Sequence, residues 1–331
     1  MSATPATGTA PADGATPSTA GTAPAADAAP SAVSVAVPPL TWLYVPGDRP
    51  AVVAKALASG ADAVVIDLED AVAADRKPYA LRATAELLAE PQPAPSGPDF
   101  GSAPAIHVRV NALTGPRAAT EIRSLAALPA LAGLRLPKVD GAADIVRAAA
   151  WAATAGPGGA AGVPPLYALL ESALGVEQAF AVATAHPALC GLSLGEADLR
   201  AELGVRDEDG LGWARGRTVI AARAAGLPPP PQSVFPDVRD TEALALSCAR
   251  GRALGFLGRA ALHPRQLPVI ERAYLPTAEE VEGASETVRA AAGRAGACAL
   301  PDGRFVDPAV VAAARRTLAL AARGTRFGEH R

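Results

Sequence analysis

The sequence predicts a (β/α)8 TIM barrel, an α/β fold, followed by a C-terminal helical arm. Three observations predict it. Eight short apolar runs lie along the chain, at Leu40 to Gly47, Asp62 to Glu69, Ala105 to Asn111, Gly133 to Val139, Pro165 to Ser172, Leu189 to Glu196, Gln232 to Val238 and Ala253 to His263. Alanine-rich, helix-prone stretches separate most of them, so strand and helix alternate. Several runs end in an acid or a base, and barrels of this type gather their catalytic groups at the C-terminal ends of the strands.

Taken in order, residues 1–38 are Ala, Pro, Thr, Gly and Ser with only Asp13 and Asp27 charged. Such a mix cannot bury enough apolar surface to fold, and a disordered tail is expected there. No Lys or Arg precedes Arg49 and no sustained apolar run precedes Val33, so no signal peptide is expected. Residues 39–275 suit one barrel, which typically needs about 250 residues. Within it the Pro- and Gly-rich stretches from Glu90 to Ala103 and from Gly156 to Pro164 break helix and strand alike, and read as connections at the barrel base. Pro228 to Pro231 gives the seventh strand a stiff entry. Beyond the last strand, Thr277 to Ala295 reads as a helix with a Thr cap and acids in its first turn, and Pro308 to Ala322 as a helix with Pro at its first position. Asp302 to Asp307 between them is rich in turn residues. This module, residues 276–331, cannot join a closed barrel. It is expected to pack outside it or on a neighbouring subunit, and an arm reaching across the interface of a homo-oligomer is the expectation carried forward.

Lys and Arg number 30 against 33 Asp and Glu, a net charge of −3. That balance excludes a nucleic-acid binder driven by a basic face and favours small-molecule chemistry. No run reaches the roughly 20 apolar residues of a membrane span. Cys190, Cys248 and Cys298 are far apart, odd in number and without CxxC spacing. Neither a disulfide framework nor a zinc site is indicated, and a reducing cytoplasm is the expected compartment. Gly210 to Gly216 resembles a dinucleotide fingerprint but has one residue too many and follows an acidic loop instead of a strand. Phosphate-loop, HExxH and GxSxG motifs are absent from the sequence.

Read along the strand ends, the charged residues are Asp67 and Glu69, Arg109, Lys138, Glu171, Glu196 with Asp198, Asp237 with Asp240, and His263. They converge on one rim, where each is costly to bury unless paired or bound to something. Glu171 and Asp198 come from adjacent strands. Two carboxylates with substrate oxygens and waters suit Mg2+; the alternative is that both are salt-bridged to Arg109 or Lys138 without a metal. Alternation along strand three puts His107, Arg109 and Asn111 on one face. There Arg109 either steadies a carboxylate or enolate oxygen or forms an ion pair with Glu69 or Glu171, while His107, early in the strand, is structural. Asp67 and Glu69 share a face, and either orient metal-bound waters or belong to a solvated acidic loop. Lys138 has acids as neighbours, which keep it protonated and favour an electrostatic role over a Schiff base. His263-Pro264 and His186-Pro187 read as turn-fixing pairs.

With these runs written out, the chain resembles the citrate lyase beta-subunit-like family of CoA-ester lyases, within the HpcH/HpaI aldolase superfamily. The matching pieces are Leu43 to Gly47, Val65 to Val72, Val108 to Asn111, Leu136 to Val139, Leu170 to Ser172, Asp198 to Gly204, and Gly255-Phe256 through Leu262-His263-Pro264, from about Leu40 to Ala322. The resemblance implies a barrel, often trimeric, that cleaves or forms a C–C bond next to a thioester with Mg2+ or Mn2+, CoA being part of the substrate. It implies Glu171 and Asp198 as metal ligands and Arg109 as the group at the substrate oxygen. Asp67, Glu69, Lys138 and Glu196 would then surround that centre. In relatives acting on free CoA esters, an aspartate from a neighbour's arm completes the site; Gly303 to Asp307 resembles that segment and makes Asp307 the candidate acid or base. Two departures stand out. In Gly195-Glu196-Ala197-Asp198 the Glu lies one place further back than is usual, which leaves its role open. Leu81 stands where the family carries Arg, so a basic contact is lost or passed to Arg82. The expected reaction is a Mg2+-dependent retro-Claisen cleavage of a carboxylated 3-hydroxyacyl-CoA such as malyl-CoA or citramalyl-CoA. An aldolase on free 2-oxo acids, and a subunit acting on an acyl-carrier-protein thioester, are the alternatives.

Overall fold

Short runs of Val, Ile, Leu and Ala that are apolar on both faces form parallel strands only where both faces are covered. They do so at β1 (Thr41–Pro46), β2 (Ala63–Asp67), β3 (Ala105–Arg109), β4 (Leu131–Leu136), β5 (Leu166–Leu170), β6 (Leu189–Leu194) and β7 (Arg259–Ala261). The computed structural model describes residues 38–90, 103–155, 162–292, 297–299, 303–324 and 327. The expected tail up to residue 37, and most of the connections expected across 91–102 and 156–161, lie outside the described residues. The strands make one parallel sheet in the order β6-β5-β4-β3-β2-β1-β7.

Seven strands, where eight were expected, build this sheet. The segment from Gln232 to Val238 pairs at one point only, a parallel bridge from Gln232 to Arg259. Pro228 to Pro231 and Pro236 have no N–H to give a ladder, which limits the segment to that bridge. The chain enters the short β7 through Gly258 with φ 80, where a Cβ would collide with the Leu40 backbone. Among the described residues no ladder joins β6 to the Gln232 segment.

One face of the sheet packs against helices through a continuous aliphatic core that includes Ile66, Val108, Leu134, Leu170 and Leu194. Helix α3 (Ala118–Leu125) shows how the helices join it: Ala118, Ile122 and Leu125 recur at helical spacing and are fully buried. The other face carries Trp42, Val65, Ala260 and Tyr167. Here the rings of Trp42, His107 and Tyr167 meet edge to face, with centroids 4.8–6.1 Å apart. Gly133 and Gly191 leave them room, since a Cβ at either would strike the Tyr167 ring. Burial, aided by the charge of Arg135, pushes the His107 pKa well below its usual value, so this histidine is a neutral packing group.

The C-terminal helices are α11 (Ala278–Ala291) and α12 (Pro308–Ala321), which pack on each other. Thr277 caps α11 in a reciprocal box with Glu280, and Asp307 caps α12 ahead of its Pro308. The expected turn region between them holds a small antiparallel pair, β8 (Cys298–Ala299) with β9 (Phe305–Val306). Arg323, just after α12, pairs with Asp62 and, at 3.6 Å, with Glu271. No helix among the described residues is long and apolar enough to cross a membrane.

Candidate active site

The pairing register of β2 and β3 sets Asp67 opposite Arg109 at the C-terminal edge of the sheet. Arg109 grips it with both arms, Nε to Oδ1 at 2.8 Å and Nη2 to Oδ2 at 2.6 Å. Nη1 lies 2.9 Å from Glu69 Oε2. Two of the five guanidinium N–H groups are hydrogen-bonded to Asp67, and the Glu69 contact is an ion pair without hydrogen-bond geometry. Burial alone would lower the Arg109 pKa, but the Asp67 carboxylate more than reverses this and raises it. Asp67 is itself anchored, accepting the backbone N–H groups of Glu69 at 2.9 Å and Ala71 at 3.1 Å. Asp67 and Glu69 are 2 % and 4 % exposed, so the reading of a solvated acidic loop fails for both; only Asp70 of that cluster faces water.

Lys138 follows β4 with φ 51, the left-handed region, in which no other non-glycine residue is found among those described. The turn aims its backbone N–H at Glu171 Oε2, 2.9 Å away, and its ammonium at Glu69 Oε1, 2.6 Å away. Burial would lower its pKa; Glu69 and Asp70 outweigh that and raise it. Glu171, directly after β5, is 6 % exposed. Burial and then the nearby Glu69 charge push its pKa up to about 7, against the opposing pull of Arg109 and Lys138. Gly195, leading into α7 (Glu196–Leu203), lies so close that a Cβ there would collide with the Glu171 carboxylate. Asp198, exposed in the first turn of α7, lines the same cavity as Glu171 and Arg109. That cavity measures about 490 Å³.

Glu196 is taken up by Arg215, which binds both its oxygens at 2.8 and 2.6 Å and also reaches Glu208 at 2.6 Å. Its oxygens therefore serve to pin the start of α7. Asp237 and Asp240 bond backbone N–H groups of their own turn, Asp240 capping helix α9 (Thr241–Ala253), and neither lines the cavity. His263 and His186 each accept a backbone N–H through Nδ1, fixing turns as expected. Asp307 caps α12 and does not line the cavity of its own chain.

Four residues escaped the sequence reading. Lys77 donates to the Leu68 and Glu69 carbonyls at 3.1 and 2.8 Å and to Asn111, clamping the loop after β2. Arg215 holds Glu196. Arg135 and Ser193 line the cavity from β4 and β6. The signal for Arg135 was available: an arginine between two leucines, two places after Gly133 in a strand buried on both faces, has to project toward the sheet's inner side.

A hard cation fits this donor set. Glu171 is a buried carboxylate short of positive charge, and Asp198 on the next loop faces the same space. A cation held by these two carboxylates would complete its shell with water or substrate oxygens, the manner of Mg2+.

Known proteins resemble this chain along most of its length. The HpcH/HpaI aldolase/citrate lyase family model matches residues 40–264. A (3S)-malyl-CoA thioesterase of Cereibacter sphaeroides is 36% identical over 287 residues, 84% of this chain and 93% of that protein. The citrate lyase subunit beta of Leuconostoc mesenteroides subsp. cremoris is 32% identical, over 85% of this chain and 92% of that protein. Among solved structures, that of CitE from Mycobacterium tuberculosis in complex with magnesium, acetoacetate and coenzyme A superposes with a TM-score of 0.69 at 32% identity, covering 87% of this chain and 99% of that one.

Proposed function

The chain belongs to the HpcH/HpaI aldolase/citrate lyase family, and from that premise we propose that it is a Mg2+-dependent carbon–carbon lyase. Its substrate is a carboxylated 3-hydroxyacyl-CoA such as malyl-CoA or citramalyl-CoA, cleaved by a retro-Claisen reaction. The observation that carries this reading is the buried Glu171, its pKa near 7, facing one cavity with Asp198 and Arg109.

Glu171 and Asp198 would hold the ion, with Mn2+ as a substitute. When bound, Mg2+ supplies positive charge that lowers the pKa of a nearby substrate hydroxyl and offsets a carboxylate. The hydroxyl proton passes to Asp307, which must then come from a neighbouring copy because it lies outside its own chain's cavity. As the C2–C3 bond breaks, its electron pair moves into a thioester enolate and the 3-carbon becomes the carbonyl of a 2-oxo acid. The N–H groups of Arg109 that are not bonded to Asp67 stabilise the enolate oxygen, an effect usually worth about 3 kcal/mol in a site closed to water. Asp67 and Glu69 hold the guanidinium plane, and Lys138 balances the second oxygen of Glu69. Protonation at C2 then yields the acyl-CoA product.

In the same reading the wall closes into a (β/α)8 barrel, supported by the Glu196 N–H to Ser233 Oγ contact at 3.4 Å across the gap beside β6. The chain works as a homotrimer or larger assembly whose 276–331 arm reaches a neighbour, in a reducing cytoplasm that suits the free thiols of Cys190 and Cys248.

A panel of purified acyl-CoA thioesters assayed with and without Mg2+, beside Glu171→Ala, Asp198→Ala and Asp307→Ala, tests the proposal. Metal-dependent release of a 2-oxo acid and an acyl-CoA, lost in the variants, is expected; wild-type rates in Glu171→Ala and Asp307→Ala would overturn it. The thioesterase among the relatives favours a second reading, hydrolysis of the thioester, which the same assay separates because it liberates free CoA thiol.

A further inference from the structure

Among the described residues that line the cavity, Arg135 is the cation that the mechanism leaves unused. It is 2 % exposed, lines the cavity from β4, and lies with its guanidinium 4.2 Å from the Trp42 ring centre and 5.4 Å from that of Tyr167. Its hydrogen bond is a long one to Ser193 Oγ, 3.4 Å. Nε and Nη2 are buried without a partner, and Trp42 Nε1 beside them is too. Among the described residues no carboxylate pairs with Arg135, in contrast to Arg109, its register partner on β3, which binds two. Stacking on aromatic rings offsets part of the cost of burying a guanidinium but leaves its N–H donors unmet. A lone buried cation with free donors in a cavity whose rim is acidic is built to receive an anion.

We propose that Arg135 and Ser193 form an anion subsite in the cavity that takes a second, distal carboxylate, so that the 2-oxo-acid half of the substrate is itself dicarboxylic, which narrows the substrate class away from malyl-CoA and citramalyl-CoA, whose 2-oxo-acid halves carry a single carboxylate. The identity of the ligand rests on the lyase reading; the subsite does not. Its consequence is a specificity determined by charge at the far end of the chain, with Arg109 and the two metal carboxylates common to either kind of substrate.

Calorimetric titration of the full chain without divalent metal tests this, using oxaloacetate against 2-oxobutyrate and 2-oxoglutarate against 2-oxopentanoate, pairs that differ in the distal charge. The wild type is expected to bind the dicarboxylate of at least one pair about tenfold more tightly, the scale of one charge-assisted bidentate contact. Arg135→Met is expected to abolish the preference while retaining the affinity for the monocarboxylate, and Glu171→Gln to keep the preference. No preference in the wild type, as a merely hydrated cation would give, or full preference in Arg135→Met, overturns the proposal. Should Arg135→Met fail to fold, Arg135→Lys and Ser193→Ala replace it, and undiminished preference in both is the overturning result. Failure to cleave any CoA ester with the preference intact would defeat the lyase reading alone; cleavage without the preference would defeat only the subsite.

Discussion

Lys138 and Glu171 are joined by the lysine's main chain, its N–H donating to Glu171 Oε2 at 2.9 Å, while the lysine's side chain points elsewhere, to Glu69. One residue thus ties two carboxylates that would otherwise repel. The left-handed backbone at φ 51 is what splits the two directions, at a cost of about 1 kcal/mol for a residue with a Cβ. Lys138→Gly is therefore expected to keep the Glu171 contact and metal binding, whereas Lys138→Met loses only the ammonium. Both should lower kcat, and borohydride treatment of wild type with substrate should trap no lysine adduct. A trapped adduct at Lys138 would contradict its electrostatic role.

Glu171 makes the metal-free protein sensitive to pH. Its pKa is about 7 in the folded chain against an ordinary 4.5, so the folded state holds a proton that the unfolded state has released between those values. The contribution is fully present below pH 4.5 and is lost as pH rises to 7, about 3 kcal/mol in all. Urea unfolding in a chelator should show Glu171→Gln gaining stability relative to wild type by that order between pH 4 and pH 8. Excess Mg2+ should close the gap at pH 8. A gap independent of pH would show that Glu171 is not the group concerned.

Replacing Arg109 by Met leaves Asp67 and Glu69 buried without their main cation. The loss of a buried partner of this kind costs about 3–5 kcal/mol, and loss of an oxyanion donor about 100- to 1,000-fold in kcat. Arg109→Lys can offer neither the two-armed grip on Asp67 nor the third contact to Glu69, and should recover stability better than rate. Equilibrium unfolding and steady-state kinetics on both variants measure the two effects separately.

Gly195→Ala places a methyl group where the Glu171 carboxylate sits. The backbone there, φ −90, accepts any residue, so the effect is displacement of Glu171 and not strain in the turn. About 1–3 kcal/mol of destabilisation is expected with a weakening of Mg2+ binding of about tenfold or more. Unchanged metal affinity by calorimetry would separate Glu171 from the ion.

Glu196→Gln tests the opposite expectation. Because both oxygens of Glu196 are held by Arg215, metal affinity should stay within about threefold of wild type, while thermal stability falls by roughly 1–3 kcal/mol as one buried partner weakens. A loss of metal binding as large as that in Asp198→Ala would make Glu196 a ligand.

Much of this was legible in residue order. Alternating apolar and helix-prone runs give parallel strands because each run must be covered on two faces, and charged residues at the run ends mark the rim, since nowhere else along a buried strand can they reach water. That reasoning singled out Asp67, Glu69, Arg109, Lys138, Glu171 and Asp198, which the structure gathers in or beside one cavity, along with Asp237, Asp240 and His263, which it does not, and it read the caps at Thr277 and Pro308 from local chemistry. It overstated the segment after Pro231, where imino nitrogens limit pairing to a single bridge. What only the tertiary structure decided is who pairs with whom. Register put Arg109 on Asp67, the left-handed turn at Lys138 brought Glu69 and Glu171 into one network, Arg215 from a distant helix withdrew Glu196, and the ring cluster beneath the rim left Arg135 without a counter-charge. A sequence carries each charge, but pairing energies depend on separation and local dielectric, and those exist only once the strands are side by side.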